Sequence, residues 1–299
     1  MTNSEPVKGQ IIRALSGFYD VRLADGTIER TRARGQFRKT KQTPLVGDWV
    51  MIHTEQENEG VLTEILPRRN AMQRPPVANV DRALVVVSVT YPEIPLKLVD
   101  RLLVYAESLD IQPLLYLTKW DLLPDQAAVE VAQAQFQPYE AIGYPVLTGD
   151  VSKVAVDVLM PYIEDQTVVV MGQSGVGKTT LLNQLLPDKE LATGEISQAL
   201  GRGRHTTRHV EIHPALKGQV IDTPGFSSLE LAQIAPDQLA QYFPEIWAKQ
   251  PECKFRGCRH LKEPHCAVKE AVQAGIITQA RYDHYVAFFE EINAHYSTY

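Results

Sequence analysis

The chain has 299 residues, 44% of them hydrophobic and 22% charged, a balance that excludes a fibre or a disordered chain and leaves room for two or three folded domains. Its formal charge of −6 is unevenly spread: residues 1–75 carry 12 Lys and Arg against 9 Asp and Glu, and the remainder 18 against 27. A basic front end is compatible with a polyanionic partner and equally with a solvated charged face. The polar stretch MTNSEPVKGQ and apolar runs no longer than a strand argue against a signal core or a membrane span, so a cytoplasmic protein without a membrane partner is expected.

In chain order, residues 7–68 read as five short β segments, KGQIIRAL, FYDVRLADG, TIERTRARGQF, VGDWVMIH and GVLTEIL. Asp25-Gly26 supplies a tight hairpin turn between the second and third. Five short strands in so little chain predict a small barrel of the OB type, a fold often used on oligonucleotides. The basic run TRARGQFRKTK at 31–41, with Phe37 among the charges, has the make-up of a segment that tracks a phosphate backbone, or of a merely soluble loop. The connector PRRNAMQRPPVANVD at 67–81 marks a change of texture.

Beyond it, strands alternate with helices. ALVVVSV at 83–89, PLLYLTK at 113–119, PVLT at 145–148 and TVVVM at 167–171 read as strands, and 96–109, 125–136 and 154–163 as helices. That alternation predicts βαβ units and a mostly parallel sheet, with ligands at the carboxyl ends of its strands. The last 70 residues lose it. LAQIAPDQLAQYF, EPHCAVKEAVQAG and ITQARYDHYVAFFEEINAHY all read as helical, the third with a core stripe of Tyr282, Tyr285, Val286, Phe289 and Ile292.

The segment GQSGVGKT, Gly172 to Thr179, satisfies GxxxxGK[ST] between a strand and the helical run TTLLNQLL. In such a loop Gly172, Gln173, Ser174, Gly175, Val176, Gly177 and Thr180 present backbone N–H groups to phosphates. Lys178 reaches the β and γ phosphates, and the Thr179 hydroxyl reaches Mg²⁺. A chance match in a chain of this size has odds of roughly 1 in 100. Asp222 ends the strand GQVID inside VIDTPG, where a second metal-holding carboxylate belongs, and Gly225 can give an N–H to the γ phosphate. Between the two lies GRGRHTTR at 201–208, in which either Thr206 or Thr207 could complete the Mg²⁺ shell. Phe226 stands where many GTPases place a water-orienting glutamine, which leaves His205 as the candidate for that role.

Thr118, Lys119, Trp120 and Asp121 match [NT]KxD, a pattern that arises by chance in roughly one chain in ten. Its chemistry is specific, because an ionised Asp121 accepts from guanine N1–H and the N2 amino group, donors that adenine does not present there. The stem of Lys119 can cover the base, and Thr148 and Gly149 can back it. The base loops precede the phosphate loop, the reverse of the usual order. Cutting a doubly wound sheet at one loop and joining its old termini leaves the strand-end loops in place.

All three cysteines fall in CKFRGCRHLKEPHC. Cys253, Cys258, His260 and Cys266 give C-x4-C-x-H-x5-C, three thiolates and an imidazole suited to a closed structural zinc site, or else reduced cysteines in a small core. His265 is set aside because adjacency to Cys266 strains joint coordination.

Taken together, the barrel, TKWD, GQSGVGKTT, GRGRHTTR, DTPG and the cysteine cluster resemble the circularly permuted small ribosomal subunit biogenesis GTPases, known as RsgA, YjeQ or YloQ. The resemblance spans essentially the whole chain. It implies a multi-domain protein with an OB-like barrel at 1–70, a permuted P-loop GTPase domain at 71–228 and a helical zinc-binding domain at 229–299. It further implies hydrolysis of GTP to GDP coupled to maturation of the small subunit, contact with 16S rRNA, one structural zinc, Mg²⁺ held by Thr179 and Asp222, and a monomer. A P-loop ATPase or kinase, and an RNA-binding assembly factor for which GTP is only a conformational ligand, remain the competing readings.

Overall fold

A computed structural model describes residues 5–35, 37, 42–56, 59–149, 155–186, 210–222 and 229–297. The chain begins with strands β1 (Val7–Leu15), β2 (Phe18–Leu23), β3 (Ile28–Ala33), β4 (Trp49–Gln56) and β5 (Glu59–Ile65), then β6 (Ala71–Met72), β7 (Val77–Ala78) and β8 (Arg82–Ser88). Helix α1 (Leu96–Glu107), β9 (Gln112–Thr118), α2 (Gln126–Ala141), β10 (Val146–Thr148), α3 (Ala155–Ile163), β11 (Thr167–Met171) and α4 (Lys178–Leu185) follow. The last elements are β12 (Glu211–Ala215), β13 (Gly218–Asp222), α5 (Pro244–Lys249), α6 (Ala267–Gln273) and α7 (Gln279–Tyr296).

These elements form two compact units. The first takes in residues up to Leu84, Val151–Met171 and Gly177–Gly225. In it β1 pairs with β2, β2 with β3, β3 in parallel with β5, β5 with β4, and β4 with β1, which closes a five-stranded barrel. Alternation along each strand sends Ile11, Val21, Thr31, Val50, Ile52 and Leu62 fully inward. Gly26, at φ 89, turns β2 into β3 while Asp25 accepts from the Thr27 amide at 2.9 Å. Phe37 is buried, so it packs the barrel and is not a stacking platform for a base.

The proline-bearing connector is ordered against the barrel. Arg68 forks onto the buried Asp48 carboxylate with two 2.7 Å bonds, and Asn79 donates to the Gly47 carbonyl at 3.0 Å. Strand β12 continues this unit beyond the barrel, pairing antiparallel with β13, and β13 pairs in parallel with β11. β12 contains Pro214, which breaks the strand pattern in the sequence.

The second unit comprises Val85–Asp150, Gly172–Val176 and Phe226–Tyr299. Its strand β10 pairs in parallel with β9, setting Thr148 opposite Leu117, so both strands end on one edge. Residues 231–243, expected as a helix, instead form turns ending in a short 3-10 segment, Leu239–Tyr242. Pro236 lacks the N–H that a helix through that point requires. Helix α7 is capped by the Thr278 hydroxyl and buries Tyr285, Phe288, Phe289 and Ile292; Tyr282 and Val286 are only half buried.

A buried ionic cluster ties α7 to α1 and α2. Asp100 accepts from Arg281 at 2.7 Å, Tyr139 at 2.7 Å and His284 at 2.5 Å, while Arg281 also forks onto Glu245 at 2.7 and 3.0 Å. Burial would lower the Arg281 pKa, but the Asp100 and Glu245 carboxylates outweigh it and raise it. Arg101 forks onto Glu291 at 2.6 and 2.5 Å and donates to the Leu229 carbonyl at 3.1 Å. No described helix is long and apolar enough to cross a membrane.

Candidate nucleotide site and metal centre

Thr118 closes β9 fully buried, and its hydroxyl donates to the Val176 carbonyl at 2.6 Å. A hydroxyl has one hydrogen to give, so this bond dominates over the 3.3 Å approach to the Val87 carbonyl. The first residue of TKWD therefore fastens its loop to the GQSGVGKT loop. Lys119 turns the chain at φ 65 and donates from Nζ to the Tyr91 carbonyl at 2.7 Å, and Trp120 Nε1 donates to the Leu117 carbonyl at 3.2 Å. Asp121 stands exposed in the 3-10 turn Trp120–Leu122, beyond the strand end.

Thr148 is exposed at the end of β10 and Gly149 is buried after it. A Cβ on Gly149 would lie 2.1 Å from the Tyr116 hydroxyl, so only glycine fits over that ring. Gly172, at φ 146, would meet the Val86 carbonyl at 2.5 Å in the same way. Val176 is fully buried, whereas Ser174 and Gly175 are exposed on the loop.

In the first unit Gly177, at φ 99, precedes α4, whose Leu181, Leu182 and Leu185 are buried. The first helical bond runs from the Leu181 amide to the Gly177 carbonyl at 2.9 Å, so the helix's own ladder starts at residue 181. Lys178 and Thr179 are half buried and Thr180 is exposed. Asp222 ends β13 one position past the Val169–Ile221 register pair, level with the end of β11. Both strands thus deliver their motifs at their carboxyl ends. A hydroxyl and a carboxylate form the hard oxygen donor set that Mg²⁺ takes. His205, Thr206, Thr207 and Gly225 lie outside the described residues.

The ligand atoms of Cys253, Cys258, His260 and Cys266 all lie within 4.8 Å of one another. His260 Nδ1 is 3.6 Å from Cys253 Sγ and 3.4 Å from Cys266 Sγ, and those two sulfurs are 4.0 Å apart. Tetrahedral Zn²⁺ with its usual bond lengths sets ligand atoms about 3.5–3.8 Å apart, which the separations among Cys253, His260 and Cys266 bracket. Burial lowers the His260 pKa and keeps the ring neutral, and it pushes the Cys258 thiol up to about 12.

The surroundings hold the ligands in place. His260 Nε2 faces Gln250 Oε1 at 3.3 Å, Tyr282 donates to the His260 carbonyl at 2.7 Å, and Tyr285 donates to the Arg259 carbonyl at 2.9 Å. Glu263 accepts from the amides of Arg259 and Leu261 at 2.9 and 2.8 Å. The sequence singles out the four clustered residues but not these supports. Tyr282 and Tyr285 showed themselves only as part of an aromatic stripe, and Gln250 carried no signal.

A strand-fed phosphate loop, a TKxD loop bonded to it from earlier in the chain and a Cys3His cluster define a circularly permuted GTPase. The chain belongs to the RsgA GTPase family, whose model matches residues 65–232, and the RsgA N-terminal domain model matches 8–62. It is 50% identical over 289 residues to the small ribosomal subunit biogenesis GTPase RsgA of Bacillus subtilis, covering 95% of this chain and 97% of that one. Its counterpart in Geobacillus kaustophilus is 51% identical over 286 residues, with the same coverage. Among solved structures, the circularly permuted GTPase YloQ matches with a TM-score of 0.83 at 42% identity, over 98% of this chain and 97% of that one. YjeQ from Thermotoga maritima matches at 0.82 and 32% identity, over 96% and 98%.

Proposed function

We propose that this protein hydrolyses GTP as a step in biogenesis of the small ribosomal subunit, acting in the cytoplasm as a monomer. Residues 71–228 serve as the GTPase domain, 1–70 as the barrel directed at 16S rRNA, and 229–299 as the zinc-bearing helical domain. The observation that carries the nucleotide assignment is the bond from Thr118 to the Val176 carbonyl, which couples the guanine-reading loop to the phosphate loop despite their reversed order.

In this reading Asp121 accepts from N1–H and the N2 amino group of guanine, with the Lys119 stem and Gly149 flanking the base. Amides of residues 172–180 and the Lys178 ammonium hold the phosphates. Thr179 and Asp222, with Thr206 or Thr207, hold Mg²⁺, which supplies neutralisation of phosphate charge when bound with GTP. Gly225 donates to the γ phosphate and His205 positions water. Cys253, Cys258, His260 and Cys266 hold one structural Zn²⁺.

The test is GTP turnover measured alone, with small subunits and with large subunits. Strong stimulation by small subunits only is expected, and His205→Ala should lose that stimulation while keeping GTP affinity. Equal rates in all three mixtures would refute the ribosomal assignment.

A further inference from the structure

The first unit carries an open cleft of about 560 Å³ that no motif announces. One wall is a row across three barrel strands, because Gln10 on β1 pairs with Arg22 on β2 and with Trp49 on β4. Arg22 donates to Gln10 Oε1 at 3.2 Å. Lys8, two residues along β1 from Gln10, sets its ammonium 4.8 Å from the centre of the Trp49 ring, and the indole remains 40% exposed. The facing wall is Asp165, Gln166 and Thr167 with Lys217, Gly218 and Gln219, at the amino ends of β11 and β13, and the Lys217 ammonium is paired with Glu164 at 3.0 Å.

That wall is held rigidly. Leu216 and Lys217 both turn through positive φ, at 47 and 62, without a glycine between them. Gly218 follows, where a Cβ would fall 1.8 Å from the Ile163 carbonyl. Gln219 donates its amide to the Gln166 carbonyl at 2.8 Å, and its side-chain Oε1 is buried without a hydrogen-bond partner. The cleft is not the nucleotide site: Asp222 is at the other end of β13, four residues away, or roughly 13 Å along the strand.

We propose that this cleft receives one unpaired nucleotide of an RNA strand, its base against Trp49 and its phosphate toward Lys8. Aromatic surface beside cations is the general chemistry for single-stranded nucleic acid, since every base has a π face and every linkage a charge. Amide side chains from Gln10 and Gln219 also line the cleft and offer N–H donors to a base edge, which an acidic peptide does not need. The volume falls within the usual range for a site of nucleotide size, about 300–1,000 Å³. The inference rests on the reading that the barrel is directed at RNA, and it names where on the barrel one base is held.

The test uses the full chain with GDP and a labelled hexa-adenylate RNA, followed by anisotropy and by tryptophan fluorescence. Wild type should bind with quenching, Trp49→Ala and Lys8→Glu should each weaken binding at least fivefold, and Trp49→Phe should weaken it less than Trp49→Ala. Lys8 is exposed on the barrel, so Lys8→Glu should keep the wild-type melting temperature and unstimulated GTP turnover. No binding by wild type, or equal binding by wild type and both variants, overturns the cleft. Small subunits added to the same proteins separate the two claims. Variants that are stimulated and bind RNA like wild type sink the cleft alone. RNA binding that depends on Trp49, with no stimulation of wild type, leaves the cleft and removes the ribosomal assignment.

Discussion

The phosphate loop and the cysteine turn both run through left-handed backbone, and they use it in opposite ways. Gly175 and Gly177, at φ 83 and 99, put no side chain on the turn that an anion would approach, and Gly172, at φ 146, leaves room for the Val86 carbonyl. In the cysteine turn His260 and His265 take φ 59 and 55 despite their side chains. His260 is fully buried and held through its ring by Gln250 and through its carbonyl by Tyr282. Strained backbone persists where surrounding bonds over-determine it. The contrast separates a site that must exchange its ligand from one that keeps it.

Chelation tests the cysteine turn as a zinc site and carries the largest expected effect. Structural zinc contributes on the order of 10 kcal/mol to small zinc domains. Chelation should therefore strip amide-exchange protection from α6 and the start of α7, and zinc should restore it. Unchanged protection would mean that the cysteines are only core.

Next in size is the buried cluster joining α7 to α1. Asp100→Ala leaves the Arg281 guanidinium, 4% exposed, facing one carboxylate in place of two. Breaking a buried pair in this way costs about 3–5 kcal/mol, readable by urea denaturation, and Asp100→Asn should cost less. Thr118→Val sharpens the exchanging half by leaving the Val176 carbonyl unpaired in the interior. A loss of about 1–3 kcal/mol is expected, appearing chiefly as weaker GDP binding by calorimetry, with an unchanged affinity arguing against the coupling of the two loops.

The smallest effect is electrostatic. Hydrogen bonding to Arg101 holds the Glu291 carboxyl below its ordinary range. Because the folded value is depressed, its contribution is complete above the unfolded value and disappears as pH falls through the folded one. Glu291→Gln should flatten that part of the acid limb of a melting-temperature profile and leave neutral-pH stability slightly reduced.

The barrel and the strands feeding the motifs were legible because alternation, Asp25-Gly26 and the apolar runs are local signals. The clustering of Cys253, Cys258, His260 and Cys266 was legible for the same reason, because the four fall within one short stretch of chain. What escaped depends on partners far along the chain. β12 is a strand because β13 and β1 flank it, although Pro214 speaks against it. Phe288 is buried while Tyr282 and Val286 are only half buried, and Arg281 shares the buried face through its bonds to Asp100 and Glu245, which spacing of apolar residues does not signal. Arg101, joining Glu291 to the Leu229 carbonyl, has the sequence of any helix-surface arginine.

The measurement that bears most directly on the permuted site is a paired titration of GDP and ADP against wild type and Asp121→Ala. A loop that reads guanine through Asp121 predicts GDP preferred by at least about a hundredfold, with the preference gone in the variant, because a site built to pair polar groups rejects a base that leaves them unpaired. Equal affinity of wild type for the two nucleotides, or a GDP preference that survives Asp121→Ala, would contradict it.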